Sequence, residues 1–287
     1  MTAALRPNRI VDTHVHLWDP ARTDWYPYLS TEQAQLGMGD VSAMARRFDM
    51  TEYRSEAGEW NIEKIVNVAA ATNWHSVDET LELDRCGEPD AIIGGLPFTE
   101  SVSEAISALD RQQVASRFRG VRPMGAYAGP LPADEVLHEL AERGLIYEIM
   151  THPDQLLAAA HGLRHHDDLV VVVEHTGWPR DDSADERQRW QEGMRALAEV
   201  GPNVMCKLSG LAMPLGSMEA GVFAPWLEKS IETFGTERCF FGSNFPVDGL
   251  HGTLDQLWHT YSTATAGLSA EDREQLFATN AERIYRC

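Results

Sequence analysis

The sequence predicts an α/β fold, namely a single (β/α)8 TIM barrel with an additional C-terminal helix. Eight short β-type runs alternate with helical patterns along the 287 residues. The runs are aliphatic on both faces, as expected of parallel strands buried between an inner core and a layer of helices. Because barrels of this kind commonly occupy about 250 residues as one domain, we expect residues 1–287 to form one domain.

The predicted elements follow one another without a linker or a repeat. The strands lie at 10–14, 65–68, 92–97, 118–122, 146–150, 169–175, 204–208 and 239–243. The helices lie at 41–57, 76–86, 101–116, 133–143, 153–163, 184–200, 218–234 and 254–265, and a further helix covers 269–285. The alternative is an open doubly wound sheet, which normally has a glycine-rich phosphate turn after its first strand. Here that strand ends in DTHVH at 12–16, which favours the barrel.

The strong negative charge restricts the classes of partner. The formal net charge is −20, and such a surface repels nucleic acid and anionic lipid. We therefore expect a small-molecule substrate and neither a nucleic acid nor a membrane as partner, and a homo-oligomer is left open. An anionic substrate would need a local basic group.

Cysteine usage and hydropathy indicate a cytoplasmic protein. The four cysteines, at 86, 206, 239 and 287, show no C-x-x-C spacing, so neither a disulfide scaffold nor a thiolate zinc site is expected. The longest aliphatic run, 169–173, is too short to span a membrane. The first nine residues contain no apolar stretch typical of a signal peptide.

Two histidines end the first predicted strand. His14 and His16 are two residues apart, which on a strand places both side chains on one face. In a barrel, the carboxyl ends of the strands face the catalytic mouth. Two converging imidazoles suit a divalent metal or a polarising hydrogen-bond pair. The alternative is a pair of ordinary histidines in a turn.

A third histidine ends the sixth predicted strand. Val171, Val173 and His175 share one face of that strand. If the valines line the barrel, His175 points into the mouth. The alternative is a buried histidine with a purely structural role.

Two basic residues lie near the ends of other strands. Arg122 ends the fourth strand, where a guanidinium can bind a carboxylate or a carbonyl oxygen. A surface salt bridge is the alternative, and Arg119 can share either role. Lys207 lies within the seventh strand and needs an acidic partner or an anionic ligand. A structural ion pair explains it as well as catalysis does.

The fifth and eighth strands carry further polar candidates. Glu148 and His152 share a parity that turns both inward, although His152 can instead cap the next helix before Pro153. Asn244 stands at the end of the eighth strand, and Asp248 follows four residues later.

The first loop, predicted to cover 17–39, is rich in aromatic residues. Its members are Trp18, Trp25, Tyr26 and Tyr28. They can form a lid or a stacking wall over the mouth. They can equally be the packing that holds a long loop down.

Taken together, these motifs resemble the amidohydrolase-2 branch of the amidohydrolase superfamily. The likeness is to sugar-acid lactonases of the fuconolactonase type and to 2-pyrone-4,6-dicarboxylate lactonase. The matching pieces are IVDTHVHLWDP at 10–20, FRGVR at 118–122, EHTGWP at 174–179, KLSG at 207–210 and FGSNFP at 241–246.

The resemblance implies a role for several residues. His14, His16 and His175 polarise the lactone carbonyl or bind a divalent metal, with zinc favoured if a metal is present and some members using none. Arg122 contacts the substrate. The acidic residue at the end of the eighth strand is the general base that activates water.

The chain departs from the pattern at two positions. Glu174 replaces an aspartate before the histidine, and Asn244 replaces the catalytic aspartate. An amide cannot accept a proton from water near neutral pH. Another group, such as Asp248, His152 or Glu148, is then needed as base. Otherwise the reaction is an isomerisation, dehydration or decarboxylation, or the protein is a catalytically silent small-molecule binder.

The leading hypothesis is a hydrolase that opens a lactone or similar cyclic ester of a small, oxygen-rich, acidic metabolite. The three histidines polarise the carbonyl, Arg122 orients the substrate, and Asn244 hydrogen-bonds water or substrate. Candidate substrate-binding residues beside Arg122 are Trp18, Tyr26, Lys207 and His152.

Overall fold

Eight parallel strands form the central barrel in the computed structural model, which describes residues 6–29, 40–124 and 131–287. The strands are β1 (Ile10–Val15), β2 (Ile62–Val68), β3 (Ala91–Pro97), β4 (Phe118–Met124), β5 (Ile146–Ile149), β6 (Val170–Val173), β7 (Val204–Leu208) and β8 (Cys239–Phe241). Each strand pairs in parallel with the next one. The chain after β8 closes the barrel, because Val15 bridges to Phe245 and the Asn244 amide donates to the His14 carbonyl at 2.8 Å. The predicted fold class is confirmed.

Helices lie between the strands and pack around the barrel. They are α1 (Met50–Ala57), α2 (His75–Cys86), α3 (Val102–Gln112), α4 (Asp134–Glu142), α5 (Pro153–Gly162), α6 (Ala184–Val200), α7 (Ala212–Leu215), α8 (Ala220–Phe234), α9 (Leu254–Ala264), α10 (Ala270–Glu274) and α11 (Asn280–Tyr285). A π-helical turn, Gln275–Thr279, joins α10 to α11. The first helix is shorter than predicted. It begins at Met50 because the Asp49 side chain caps it by accepting from two backbone amides.

The apolar residues divide into two buried clusters. One cluster joins alternate strand residues with the C-terminal segment; its members include Val11, Val66, Val68, Ile93, Ile146, Val172, Met205, Phe240, Ala281 and Tyr285. The other contains the opposite strand faces and the helices, including Val171 and Val173. The C-terminal segment therefore packs against the interior of the barrel. The carboxyl ends of the strands, where the predicted site residues lie, are at the other end.

Candidate active site

Two imidazoles from β1 and the residue after it meet edge to edge. The Nε2 atoms of His14 and His16 are 3.2 Å apart, and the two rings are nearly perpendicular. His16 Nδ1 lies 2.8 Å from the Val68 carbonyl oxygen. Because a carbonyl only accepts hydrogen bonds, Nδ1 carries the proton of the neutral His16 ring. The His16 Nε2 lone pair therefore faces His14.

The proton position on His14 depends on two charged neighbours. Lys207 Nζ is 3.4 Å from His14 Nδ1, and Glu174 Oε1 is 3.8 Å from the same atom. If Lys207 donates to Nδ1, then His14 Nε2 carries the proton and donates to His16. If Nδ1 instead carries the proton toward Glu174, both Nε2 lone pairs converge. The first arrangement joins the two rings without a metal, and the second is the arrangement that a cation requires. Arg122 Nη1, which can only donate, lies 3.5 Å from His14 Nε2 and favours the second.

His175 reaches the same cluster through an unusual turn. Its ring lies 4.6 Å from the His14 ring, and its Nδ1 is 3.1 Å from Ser209 Oγ. Four successive residues, His175, Thr176, Gly177 and Trp178, have positive φ angles of 52°, 57°, 71° and 41°. A left-handed conformation costs a non-glycine residue about 1–2 kcal/mol. Strain of this kind persists where the surroundings enforce it and is concentrated at functional sites.

The turn corrects one step of the sequence argument. Val171 and Val173 pack in the outer cluster, whereas Val172 faces the barrel interior. Strand alternation alone would therefore turn Glu174 inward and His175 outward. The left-handed turn brings His175 back beside His14, although the strand face from which its position was argued is wrong. Its catalytic role stays a prediction.

Two glycines provide the space that the imidazoles occupy. A Cβ atom at Gly210 would lie 2.3 Å from His175 Nδ1, and one at Gly242 would lie 2.8 Å from His14 Cβ. Gly210 also has a φ of +66°, which favours glycine. The glycines after β7 and β8 are therefore part of the construction of the site.

Glu174 lies at the centre of the site, although its sequence position was noted only as a departure from the family pattern. It is completely buried, with Oε2 3.5 Å from Arg122 and 3.8 Å from His175 Nε2. Its Oε1 has no hydrogen-bond partner among the described residues. Burial raises the pKa of Glu174 to about 8, and the Arg122 charge opposes that rise. Its inward parity with Val172 was the signal that could have identified it.

Arg122, on β4, contacts both Glu174 and His14. Its side chain is 12% exposed, and its contacts to Glu174 and to His14 Nε2 are both 3.5 Å long. The buried Nε atom has no hydrogen-bond partner within the described residues. The guanidinium thus retains capacity for an anionic ligand or an oxyanion. Arg119 instead donates to the Tyr285 carbonyl of the C-terminal segment, so it does not share this position.

A buried ion pair lies beneath the histidines. Lys207 Nζ donates to Glu148 at 2.6 Å and to the Thr13 carbonyl at 3.0 Å. The Tyr285 hydroxyl donates to the second Glu148 oxygen at 2.6 Å. All three side chains are completely buried. The substrate contact of Lys207 stays a prediction, and its observed partners fulfil the structural alternative.

Asn244, which follows β8, is fixed by a hydrogen bond to Asp248. Asn244 Nδ2 donates to Asp248 Oδ1 at 2.8 Å, and Asn244 has a positive φ of 55°. Its side chain opposes the lowering of the His16 pKa, so it lies near that ring. Burial raises the pKa of Asp248 to about 7, opposed by the hydrogen bonds from Asn244 and Ala212.

An aromatic pair borders the site beside β5 and β6. The His152 ring stacks on Trp178 with centroids 4.6 Å apart, and its Nδ1 lies 3.0 Å from the Trp178 carbonyl oxygen. Trp178 is in turn 5.6 Å from the His175 ring. His152 precedes α5 but its side chain makes no capping hydrogen bond. Sequence reasoning did not single out Trp178, whose placement depends on the left-handed turn.

The described part of the first loop packs beside His16. The Trp18 ring is parallel to His16 at 5.9 Å, and its Nε1 donates to the Arg46 carbonyl. The Tyr26 hydroxyl donates to the buried Glu79 at 2.9 Å, and Tyr28 donates to the Ala70 carbonyl. Residues 30–39 of the predicted loop lie outside the described residues.

The three histidines are neutral in this environment. Burial, followed by the charge of Lys207, holds the pKa of His14 well below its usual value. Burial and Arg122 do the same for His175, and they lower the pKa of His16 to about 3. Neutral imidazoles keep the lone pairs that hydrogen bonding or metal binding requires.

Among the described residues, one group of three metal-ligating side chains converges, and a pair of imidazole nitrogens lies beside it. Ligand atoms of His14, Glu148 and Glu174 lie within 4.8 Å of one another. Both oxygens of Glu148, however, are engaged by Lys207 and Tyr285, and the ammonium repels a cation. The imidazole side, where the two Nε2 atoms are 3.2 Å apart, suits a tetrahedral metal with Zn–N bonds of about 2.0–2.1 Å.

Comparison with known proteins decides the family. The family model described as amidohydrolase matches residues 11–287. The chain belongs to the amidohydrolase family. An uncharacterized protein, y4mH, from Sinorhizobium fredii is 30% identical over 296 residues, covering 96% of this chain and 98% of that protein. An L-fucono-1,5-lactonase from Burkholderia ambifaria is 24% identical over 289 residues, covering 96% and 95%.

The fold is also shared with solved structures. An amidohydrolase from Burkholderia multivorans with bound zinc superposes with a TM-score of 0.78 at 22% identity, covering 96% of this chain and 99% of that one. The resemblance inferred from the motifs is thus confirmed, and this amidohydrolase is an enzyme of the hydrolase type.

In the part of the chain that the structure describes, no helix combines the length and apolarity needed to cross a membrane.

Proposed function

We propose that this amidohydrolase is a lactonase that opens the cyclic ester of a small, oxygen-rich, acidic metabolite. The observation that carries the proposal is the convergence of three neutral imidazoles and Arg122 at the carboxyl ends of the strands. The lactonase name of the Burkholderia ambifaria relative supports the same reaction class. The guanidinium supplies the positive group that an acidic substrate needs on a chain of net charge −20.

In this proposal the chain's own residues orient and polarise the lactone. Arg122 binds a substrate oxygen and stabilises the negative charge that develops on the carbonyl oxygen during attack by water. His16 and His175 line the space next to it. The buried Lys207 adds positive potential from below, since its ammonium lies 3.4 Å from His14.

The base is assigned to His152 among the three candidates from the sequence. Glu148 is engaged by Lys207 and Tyr285, and Asp248 lies behind Asn244. His152 is only half-buried. Its Nδ1 faces the Trp178 carbonyl, so the neutral ring keeps the Nε2 lone pair that can accept a proton from water.

A divalent metal fits the facing Nε2 atoms of His14 and His16. We assign its ligands to His14, His16 and His175, with zinc favoured by the Nε2 separation and by the carbonyl that fixes His16. When bound, the metal would polarise the carbonyl and lower the pKa of water.

The test measures proton release from purified protein supplied with sugar-acid and dicarboxylate lactones, with and without a chelator. We expect release from at least one lactone above the protein-free rate. Loss of that activity in the chelator assigns a metal to the histidines, and its survival assigns the metal-free arrangement. Absence of release from every lactone contradicts the proposal.

A second candidate, a non-hydrolytic lyase or isomerase on the same site, is favoured by Asn244. An amide at that position removes the expected general base, and dehydration, isomerisation or decarboxylation does not need an activated water. The product mass separates the candidates, because only hydrolysis adds one water.

A further inference from the structure

Asn244 occupies the position where hydrolytic relatives are expected to have the catalytic aspartate, and the two ends of its amide are chemically different. We propose that Asp248 is a positioning residue: it binds the Nδ2 end of Asn244 and leaves the Oδ1 end as the acceptor that faces the mouth. Position 244 then presents a fixed neutral acceptor that orients water or substrate without taking a proton.

Two hydrogen bonds join the pair. Asn244 Nδ2 donates to Asp248 Oδ1 at 2.8 Å, and the Asp248 backbone amide donates to the Asn244 carbonyl at 3.0 Å. The Asn244 backbone amide is itself fixed by the His14 carbonyl at 2.8 Å. Residue 244 is therefore attached to β1 through its backbone amide and to Asp248 through its side chain.

The chemistry of the carboxylate determines which end of the amide faces it. An ionised carboxylate only accepts hydrogen bonds, so it selects Nδ2 and leaves Oδ1 on the opposite side of the amide. Asp248 is completely buried, whereas Asn244 retains 4% exposure. The Asn244 side chain raises the pKa of His16 against the effect of burial, so it lies beside that ring.

The remaining contact of Asp248 agrees with a supporting role. Its Oδ2 accepts from the Ala212 backbone amide at 3.4 Å at the start of α7. Asp248 thus links the segment after β7 to Asn244. It is separated from the mouth by Asn244, so it acts on the reaction through the amide and is not itself a catalytic residue.

The pairing of Asn244 with Asp248 predicts the effect of Asn244→Asp, the substitution that restores the aspartate expected in the family. Asn244→Asp alone would place two carboxyl groups within hydrogen-bond distance, and two such groups cannot both ionise. Asn244→Asp combined with Asp248→Asn restores a carboxylate–amide pair with reversed polarity. The double variant is therefore the matched control for the single one.

The experiment compares wild type, Asp248→Asn, Asn244→Asp and the double variant at pH 8. Its kinetic arm rests on the proposed function and uses a lactone that the wild type hydrolyses. We expect Asp248→Asn to lower kcat about 10- to 100-fold, as for other residues that orient a ligating group, with KM changed less than threefold. The double variant should exceed Asn244→Asp in kcat by at least 10-fold.

A second arm does not depend on turnover. Unfolding midpoints of the four proteins form a double-mutant cycle, and nitrogen-15 spectra follow hydrogen exchange of the Asn244 carboxamide. We expect strong coupling in the cycle and a slowly exchanging carboxamide proton that is lost in Asp248→Ala. Additive midpoints, or unchanged exchange in Asp248→Ala, overturn the pairing. If the pairing is present but kcat of Asp248→Asn stays within twofold of wild type, the positioning role is overturned. If no lactone is hydrolysed, the proposed function fails while this arm still decides the pairing.

Discussion

His14 and His16 face each other through Nε2 atoms 3.2 Å apart, and His16 is fixed from behind by the Val68 carbonyl. Because Val68 determines the tautomer of neutral His16, only His14 can change its proton position without breaking that bond. Lys207 and Glu174 compete for His14 Nδ1 from 3.4 and 3.8 Å. The choice between a metal-free and a metal-binding site thus depends on one nitrogen of one residue.

Replacement of His14 should remove catalysis. Glutamine keeps a polar side chain but cannot hydrogen-bond or bind a metal through the same pair of ring nitrogens. We expect His14→Gln to lower kcat/KM for a hydrolysed lactone by about 10²–10⁴-fold, measured as initial proton release. The exposed His165 provides the control, since His165→Gln should stay near wild type. Activity of His14→Gln within threefold of wild type would remove His14 from the mechanism.

Loss of the buried lysine should destabilise the protein. Lys207→Met leaves Glu148 buried without its ammonium partner, and breaking a buried pair in this way costs about 3–5 kcal/mol. Denaturant unfolding measures the change.

The double variant Lys207→Met with Glu148→Gln should recover most of that loss, because the buried charge is removed while an acceptor for Tyr285 remains. The surface variant Lys229→Met, which breaks an exposed pair with Glu232, should change stability by less than about 1 kcal/mol. A double variant as unstable as the single one would show that packing, not charge, is the dominant effect.

Titration of Glu79 should appear in the pH dependence of stability. Burial raises the pKa of Glu79 to about 7 from an ordinary value of 4.5, and hydrogen bonds from Ala70, Ala71 and Tyr26 oppose the rise. The folded state therefore binds a proton more tightly than the unfolded state. Between about pH 4.5 and 7 this contribution to the free energy of unfolding falls as pH rises, by roughly 3 kcal/mol in total at 1.36 kcal/mol per pKa unit.

Glu79→Gln should remove that slope. The measurement is the free energy of unfolding of wild type and variant at intervals from pH 4.5 to 8. Wild type should exceed the variant by the largest amount at pH 4.5. A difference that stays constant with pH, or grows as pH rises, would show that Glu79 is ionised in the folded state throughout this range.

Trp178, of the aromatic pair with His152, should contribute to substrate binding. Trp178 stacks with His152 and borders His175, and it is only half-buried, so we expect the exposed part of its indole to contact a ring substrate. Such stacking is worth about 0.5–1.5 kcal/mol. We expect Trp178→Ala to raise KM by about 3- to 10-fold, and Trp178→Phe to retain most of the affinity. If the phenylalanine and alanine variants have equal KM, the ring does not bind substrate by stacking.

The sequence predicted the elements whose chemistry is local. Strand ends and residue types were sufficient to place His14, His16, Arg122 and Asn244 at the carboxyl ends of the strands. Their catalytic roles stay predictions. The pattern of eight strands was likewise visible, since each strand is buried on both faces.

The remaining parts depend on tertiary structure. The left-handed turn at 175–178 changes which residue after β6 faces the mouth, so alternation misjudged Val171 and Val173 and gave no role to Trp178. Tyr285 reaches Glu148 from 137 positions away in sequence, a pairing that no spacing rule contains. Helix α1 begins at Met50, later than predicted, because the Asp49 side chain caps it. In the sequence alone, the hydrophobic pattern of 41–57 is a stronger helix signal than one capping aspartate.

The most direct test of the central claim is the mass of the product formed from a lactone in ¹⁸O-enriched water, with His14→Gln as the control. Hydrolysis predicts an acid heavier than the lactone by one water containing a single ¹⁸O, formed faster with wild type than with the variant or without protein. A product of unchanged mass, or one lighter by water or carbon dioxide, would contradict hydrolysis and assign the site to a non-hydrolytic reaction.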